Sequence, residues 1–131
     1  MSVQAPSDLD HLTDFFGRYG AALTAGDLPA IAGCYAMPGM VVADTYSFTF
    51  TSPAAVALSF LGAAPGYQER EIVAAHAQIQ DVQRLGAALT MVAVQWEYLD
   101  SHGAAVPGES YRYLLRADVH GTRICTVVAT R

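Results

Sequence analysis

Leu9, Leu12, Phe16, Tyr19 and Leu23 recur at spacings of three and four, which draws a single apolar stripe along one helix. Ser7 reads as the N-cap of that helix and Gly26 as its stop. Asp27 opens a second, short helix carrying Leu28, Ile31, Cys34 and Tyr35, which Met37-Pro38-Gly39 brings to an end. The stripe forces a phenol, Tyr19, onto the face that must be buried. A buried hydroxyl needs a partner, which either a backbone carbonyl or a ligand in a pocket beneath the helix can supply.

The rest of the chain divides sharply. Met40 to Thr51 reads as strand, turn and strand, with Val41-Val42 before the turn and Phe48-Thr49-Phe50 after it. Ser52-Pro53 is a helix start, a capping hydroxyl followed by proline in the first turn, for a third helix running to about Leu61 and stopping at Gly62. A loop containing Pro65-Gly66 follows. Beyond it come four segments rich in Val, Ile, Thr and aromatics, Glu71–Gln83, Ala87–Leu99, Glu109–Arg116 and Thr122–Thr130. Turns are expected between them at Leu85-Gly86, His102-Gly103, Pro107-Gly108 and His120-Gly121. Thr90, Val92, Val94, Trp96 and Tyr98 share one strand face, as do Tyr111, Tyr113 and Leu115, with Gln95, Glu97, Arg112 and Arg116 opposite. Helices followed by a meander of long strands predict an α+β fold with helices on one face of a curved antiparallel sheet.

At 131 residues the chain is expected to be a single domain spanning 1–131. Hydrophobic residues make up 53% of it, enough for a lined cavity or a subunit interface beyond a core. A net charge of −5 without any basic run argues against nucleic acid and anionic membrane surfaces as partners. The opening residues lack the charged and apolar regions of a secretory signal, and the longest apolar run is too short to span a bilayer, so a cytoplasmic protein is expected. Cys34 and Cys125 read as buried free thiols. His11, His76, His102 and His120 show no ligand spacing on a single element, so no metal site is expected. The chain shows neither a phosphate-binding glycine loop nor a serine-centred nucleophile elbow, and no cofactor is expected.

The order of elements, together with Arg18-Tyr19-Gly20-Ala21-Ala22-Leu23-Thr24-Ala25-Gly26-Asp27-Leu28-Pro29-Ala30-Ile31, resembles the nuclear-transport-factor-2-like superfamily over nearly the whole chain. That resemblance implies a cone: a bent sheet curled around a hydrophobic pocket closed by three N-terminal helices, with homodimers formed through the sheet. Within the superfamily the pattern is similar to ketosteroid isomerases and polyketide-cyclase-like (SnoaL-like) proteins. Tyr19 falls where the isomerases carry an oxyanion-hole tyrosine, and Asp44 within one residue of their catalytic-base aspartate. Trp96-Glu97-Tyr98 resembles their aromatic pocket strand, and counting on from it puts Glu109 at the protonated-acid position. Asp44 requires a one-residue insertion and is followed by Thr-Tyr-Ser in place of a proline-containing turn, and Glu109 is longer than an aspartate. Steroid specificity does not carry over.

The resemblance therefore implies cofactor-independent proton transfer on a carbonyl compound: isomerisation, cyclisation or dehydration. Asp44 would be the base, with Tyr19 and Glu109 stabilising the oxyanion. Phe16, Trp96, Tyr98, Tyr111 and Tyr113 are the expected lining for a small hydrophobic ligand. Each residue type also has a purely structural use: Tyr19 in the core, Asp44 heading a turn, Glu109 solvated at the start of a strand, and the aromatics as packing. A non-catalytic ligand-binding or dimerisation module is the alternative. The two readings part on whether Tyr19, Asp44 and Glu109 converge in one cavity.

Overall fold

A computed structural model describes the backbone of residues 6–60 and 70–130, and the side chains among them from Leu9 onward. The apolar stripe is the buried face of helix α1 (Pro6–Ala25), where Leu12, Phe15, Phe16, Tyr19, Ala22 and Leu23 enter the core. Leu9 does not join them; it is exposed near the start of the helix. Ser7 is not the cap, because helical backbone has already begun at Pro6. At the other end the reading holds. Gly26 takes a φ of 66°, its N–H reaches the Leu23 carbonyl at 3.2 Å, and the Asp27 N–H reaches Ala22 at 3.0 Å. This crossed pair satisfies carbonyls that the helix end leaves open, and the left-handed backbone favours glycine.

Asp27 caps helix α2 (Leu28–Gly33), its carboxylate accepting the Ala30 N–H at 3.3 Å. The helix is shorter than the sequence suggests. Cys34 is its C-cap, and Tyr35 already belongs to strand β1 (Tyr35–Val42), which runs through Met37-Pro38-Gly39 with a cis Met37–Pro38 peptide. Sheet pairing draws the chain out of the helix: the Cys34 carbonyl accepts the Ile124 N–H at 2.7 Å. Cys34 itself is only half-buried, whereas Cys125 is buried, and both are free thiols. Burial raises the Cys34 thiol pKa, with Arg18 pulling the other way.

Strand β2 (Ser47–Phe50) returns antiparallel to β1, and Ser52 caps helix α3 (Pro53–Ser59) by accepting the Ala55 N–H at 3.2 Å. The expected end of that helix at Leu61-Gly62 and the Pro65-Gly66 loop lie outside the described residues. The long strands are β3 (Ile72–Arg84), β4 (Leu89–Asp100), β5 (Ala105–Asp118) and β6 (Gly121–Thr130). They form one six-stranded sheet in the order β2-β1-β6-β5-β4-β3. The sheet is curved and unclosed but mixed, not wholly antiparallel: β1 runs parallel to β6, to which no hairpin ties it. Val92, Val94, Trp96 and Tyr98 all face the helices and are buried, as the alternation predicts. Among the described residues no helix is long and apolar enough to cross a membrane.

Two glycines fix how closely the layers approach. A Cβ on Gly20 of α1 would lie 2.8 Å from the Ala75 carbonyl and 3.1 Å from the Trp96 ring, so only glycine lets the helix settle there. A Cβ on Gly108 would lie 2.9 Å from the Tyr98 ring. Pro107-Gly108 is not the turn that its composition suggests. Gln95 pairs with Ser110 but Glu97 with Pro107, so Gly108 and Glu109 together oppose Trp96 in a β-bulge within β5. Glu109 consequently lies inside a strand instead of at its beginning. The real turn precedes Ala105, with Gly103 at a φ of 80°.

Candidate functional site

Between the helices and the concave face of the sheet lies a partly enclosed cavity of about 230 Å³. Its floor comes from α1, β1, β4 and β5. Tyr19 and Tyr35 meet hydroxyl to hydroxyl at 2.7 Å, both buried, and either oxygen can donate. Beside them the Trp96 indole N–H donates to the Tyr113 hydroxyl at 2.9 Å. The four rings pack edge-on or tilted around one another: the Tyr19 centroid lies 6.0 Å from Tyr35 and 6.1 Å from both Trp96 and Tyr113. Such geometry suits the ring quadrupoles.

The phenol pair has a hydrogen to spare. Two O–H groups share one hydrogen bond, so one hydrogen must look for an acceptor elsewhere. Among the described residues neither phenol has another partner, and both line the cavity. Burial pushes both phenols above the ordinary tyrosine range; the mutual hydrogen bond raises Tyr19 further and pulls Tyr35 back. Both are therefore neutral hydrogen-bond donors across physiological pH.

One wall climbs from floor to mouth along the β1–β2 hairpin. Tyr35 contacts Phe50 at 5.4 Å between centroids, Phe50 contacts Phe48 at 5.2 Å, and Phe48 stacks on Tyr46 at 6.0 Å with only 12° between the planes. Exposure rises along this ladder from 1% at Phe50 to 40% at Phe48 and 56% at Tyr46. Phe60, just past α3, joins the wall against Tyr35. On the opposite side Tyr98 and Tyr111 line the cavity together with Glu109, whose Oε1 accepts the Tyr98 hydroxyl at 2.5 Å. Glu109 lies exposed at the rim.

The residues singled out from the sequence thus separate. Tyr19, Glu109, Trp96, Tyr98, Tyr111 and Tyr113 all line the same cavity. Phe16 does not: it is fully buried behind the floor, packed against Trp96 and Tyr113. Asp44 sits exposed in the turn between β1 and β2 and is not part of the lining. Sequence reading passed over Tyr35, Tyr46, Phe48, Phe50 and Phe60. For three of these the signal was present, since positions 46, 48 and 50 alternate onto one strand face. Among the described residues no three His, Cys, Asp or Glu side chains gather as metal ligands would.

A family model described as NTF2-like protein (DUF6841) matches residues 10–131. Among solved structures, the protein Aln2 from a Streptomyces species is 15% identical, with a TM-score of 0.71 over 99% of this chain and 94% of that one. An NTF-2-like protein of unknown function from Shewanella oneidensis is 13% identical, with a TM-score of 0.69 over 94% and 98%. A ketosteroid isomerase-like protein from Erwinia carotovora atroseptica is 17% identical, with a TM-score of 0.63 over 95% of both chains. At such identities the likeness is one of fold. No curated protein matches the chain.

Proposed function

The chain belongs to the NTF2-like family described as DUF6841, and on that footing we propose that its aromatic cavity binds a small, largely apolar molecule whose acceptor oxygen takes the spare hydrogen of the Tyr19–Tyr35 pair. The observation that carries this reading is the pair itself: two buried phenols, one shared hydrogen bond and a cavity in front of them. A dry apolar cavity of about 150 Å³ takes benzene, so 230 Å³ suits a molecule of one ring with a few further atoms, or a small bicycle.

The catalytic form of the proposal is cofactor-independent proton transfer. The Glu109 carboxylate removes a proton α to the bound carbonyl, the C–H electrons move into the enolate oxygen, and the phenol pair donates to that oxygen. The proton then returns from Glu109 to carbon. Glu109 takes the base role here because it lines the cavity, whereas Asp44 is exposed on the hairpin turn. That position of Asp44 also favours the second reading, a non-catalytic binding module. A homodimer through the outer sheet face, where Met91 lies opposite Leu114, belongs to the same proposal.

Trp96 is the one tryptophan of the chain and lines the cavity, so its fluorescence reports occupancy. Titration with 2-tetralone is expected to give a saturable change that Tyr19→Phe/Tyr35→Phe weakens. Proton NMR in D2O then follows exchange of the α-hydrogens of the ketone. Exchange above the protein-free rate, cut on the order of 100-fold by Glu109→Gln, supports catalysis. Saturable binding without exchange leaves the binding module. No binding by 2-tetralone or any comparable ring ketone overturns the proposal.

A further inference from the structure

Ten of the sixteen described residues that line the cavity are aromatic, and the one that carries a formal charge is Glu109. Aromatic faces are electron-rich and attract cations, most strongly where water is excluded. The same lining holds a carboxylate: Tyr46 and Phe48 stand exposed on the hairpin wall, and the exposed Glu109 accepts a hydrogen bond from the buried Tyr98 on another. No described cation pairs with Glu109; its partner is the neutral Tyr98 hydroxyl. The chain contains no lysine, so it has no side-chain ammonium of its own to fill such a box.

We infer that the ligand of this cavity carries a positively charged nitrogen, a quaternary or protonated amine, held at the mouth between the aromatic rings and Glu109 while the rest of the molecule, with its acceptor oxygen, reaches toward the Tyr19–Tyr35 floor. The inference rests on the cavity reading above and adds the charge class of its occupant. Electrostatics beyond the cavity point the same way, with a formal net charge of −5 that favours the approach of cations. One group opposes it. The Arg70 guanidinium lies over the Tyr98 ring, 5.1 Å from its centroid, outside the lining, and its charge repels a second cation nearby. Its placement also shows that a ring of the lining accepts a cation on its face.

Phenyltrimethylammonium and tert-butylbenzene have the same shape and differ by one charge, which makes them the decisive probes. Trp96 fluorescence, with thermal stabilisation as a second readout, is expected to show the cation binding about tenfold more tightly than the hydrocarbon. Glu109→Gln, an exposed substitution whose fold is checked by circular dichroism, should remove most of that preference and leave the hydrocarbon unaffected. Arg70→Ala should strengthen the cation severalfold and again leave the hydrocarbon alone. Added salt should weaken the cation selectively. If the hydrocarbon binds as well as the cation, or if Glu109→Gln leaves the preference intact, the charge assignment is overturned and the apolar cavity reading survives. If neither probe binds, the charge assignment falls, and the cavity reading is decided separately by the 2-tetralone titration.

Discussion

The floor and the mouth of the cavity are built from the same kinds of side chain and obey opposite rules. On the floor, Tyr19, Tyr35, Trp96 and Tyr113 are buried, and each polar atom has a partner from another of the four. They come from four different elements, so the hydrogen bonds tie α1 to β1 and β4 to β5. At the mouth, Tyr46 and Phe48 expose large parts of their rings from a four-residue edge strand and the turn before it, and rest mainly on each other and on Phe50. Folding alone accounts for the floor, because every ring there is removed from water. It does not account for the mouth, where exposed aromatics lower solubility and gain little burial. The difference separates the part of the site that stability selects from the part that a ligand would complete.

That contrast breaks most readily at Trp96. Trp96→Ala is expected to cost about 3–5 kcal/mol, because it empties the centre of the floor and leaves the Tyr113 hydroxyl without its donor. Urea or thermal unfolding measures the loss. Gly20→Ala should follow at about 1–3 kcal/mol. The new methyl would meet a backbone carbonyl and the Trp96 ring, neither of which yields easily.

The phenol pair sharpens the contrast through pH. Burial raises the folded-state pKa of Tyr19 and Tyr35 above that of an unfolded tyrosine. Above about pH 10 the unfolded chain releases these protons while the native state keeps them, so stability must fall as pH rises. Stability measured at stepwise alkaline pH should therefore decline more steeply for the native sequence than for Tyr19→Phe/Tyr35→Phe. Equal slopes would mean that the two phenols titrate as freely when folded as when unfolded.

Much of the floor was legible in the sequence, and most of the mouth was not. Helix periodicity, the Gly26 stop, the Asp27 and Ser52 caps and the alternation along β4 are local, governed by residues a few positions apart. Tyr19 and Trp96 were found for that reason. Tyr35 was misplaced on a helix because its true neighbour is Ile124, far along the chain, and ladder pairing outweighed local propensity. Pro107-Gly108 carries a generic turn signal, yet register with β4 turns it into a bulge. Such decisions belong to tertiary pairing, which one sequence does not display. Likewise the resemblance that pointed to Asp44 gave its sequence position without the orientation of the hairpin around it.

At the mouth the order of effects should reverse. Tyr46→Ser with Phe48→Ser is expected to cost only about 1 kcal/mol, since both rings are substantially exposed in the native state. The same pair should weaken 2-tetralone and phenyltrimethylammonium binding severalfold, read by Trp96 fluorescence. A large loss of stability instead would show that the hairpin rings belong to the core after all, and the distinction between floor and mouth would dissolve.

The smallest expected effect is the most informative about chemistry. Asp44 is exposed, lies in a turn and has no hydrogen bond among the described residues. Asp44→Asn should therefore leave stability within about 0.5 kcal/mol and leave both ligand affinity and α-hydrogen exchange unchanged, while Glu109→Gln cuts any exchange the protein supports on the order of 100-fold. Asparagine keeps the shape and removes only the charge and the basicity, so a lost rate could not be blamed on packing. If Asp44→Asn slows exchange and Glu109→Gln does not, the base is the residue indicated by resemblance to ketosteroid isomerases. The β1–β2 hairpin would then have to fold over the mouth when a ligand is bound, carrying Asp44 from solvent to the reacting carbon.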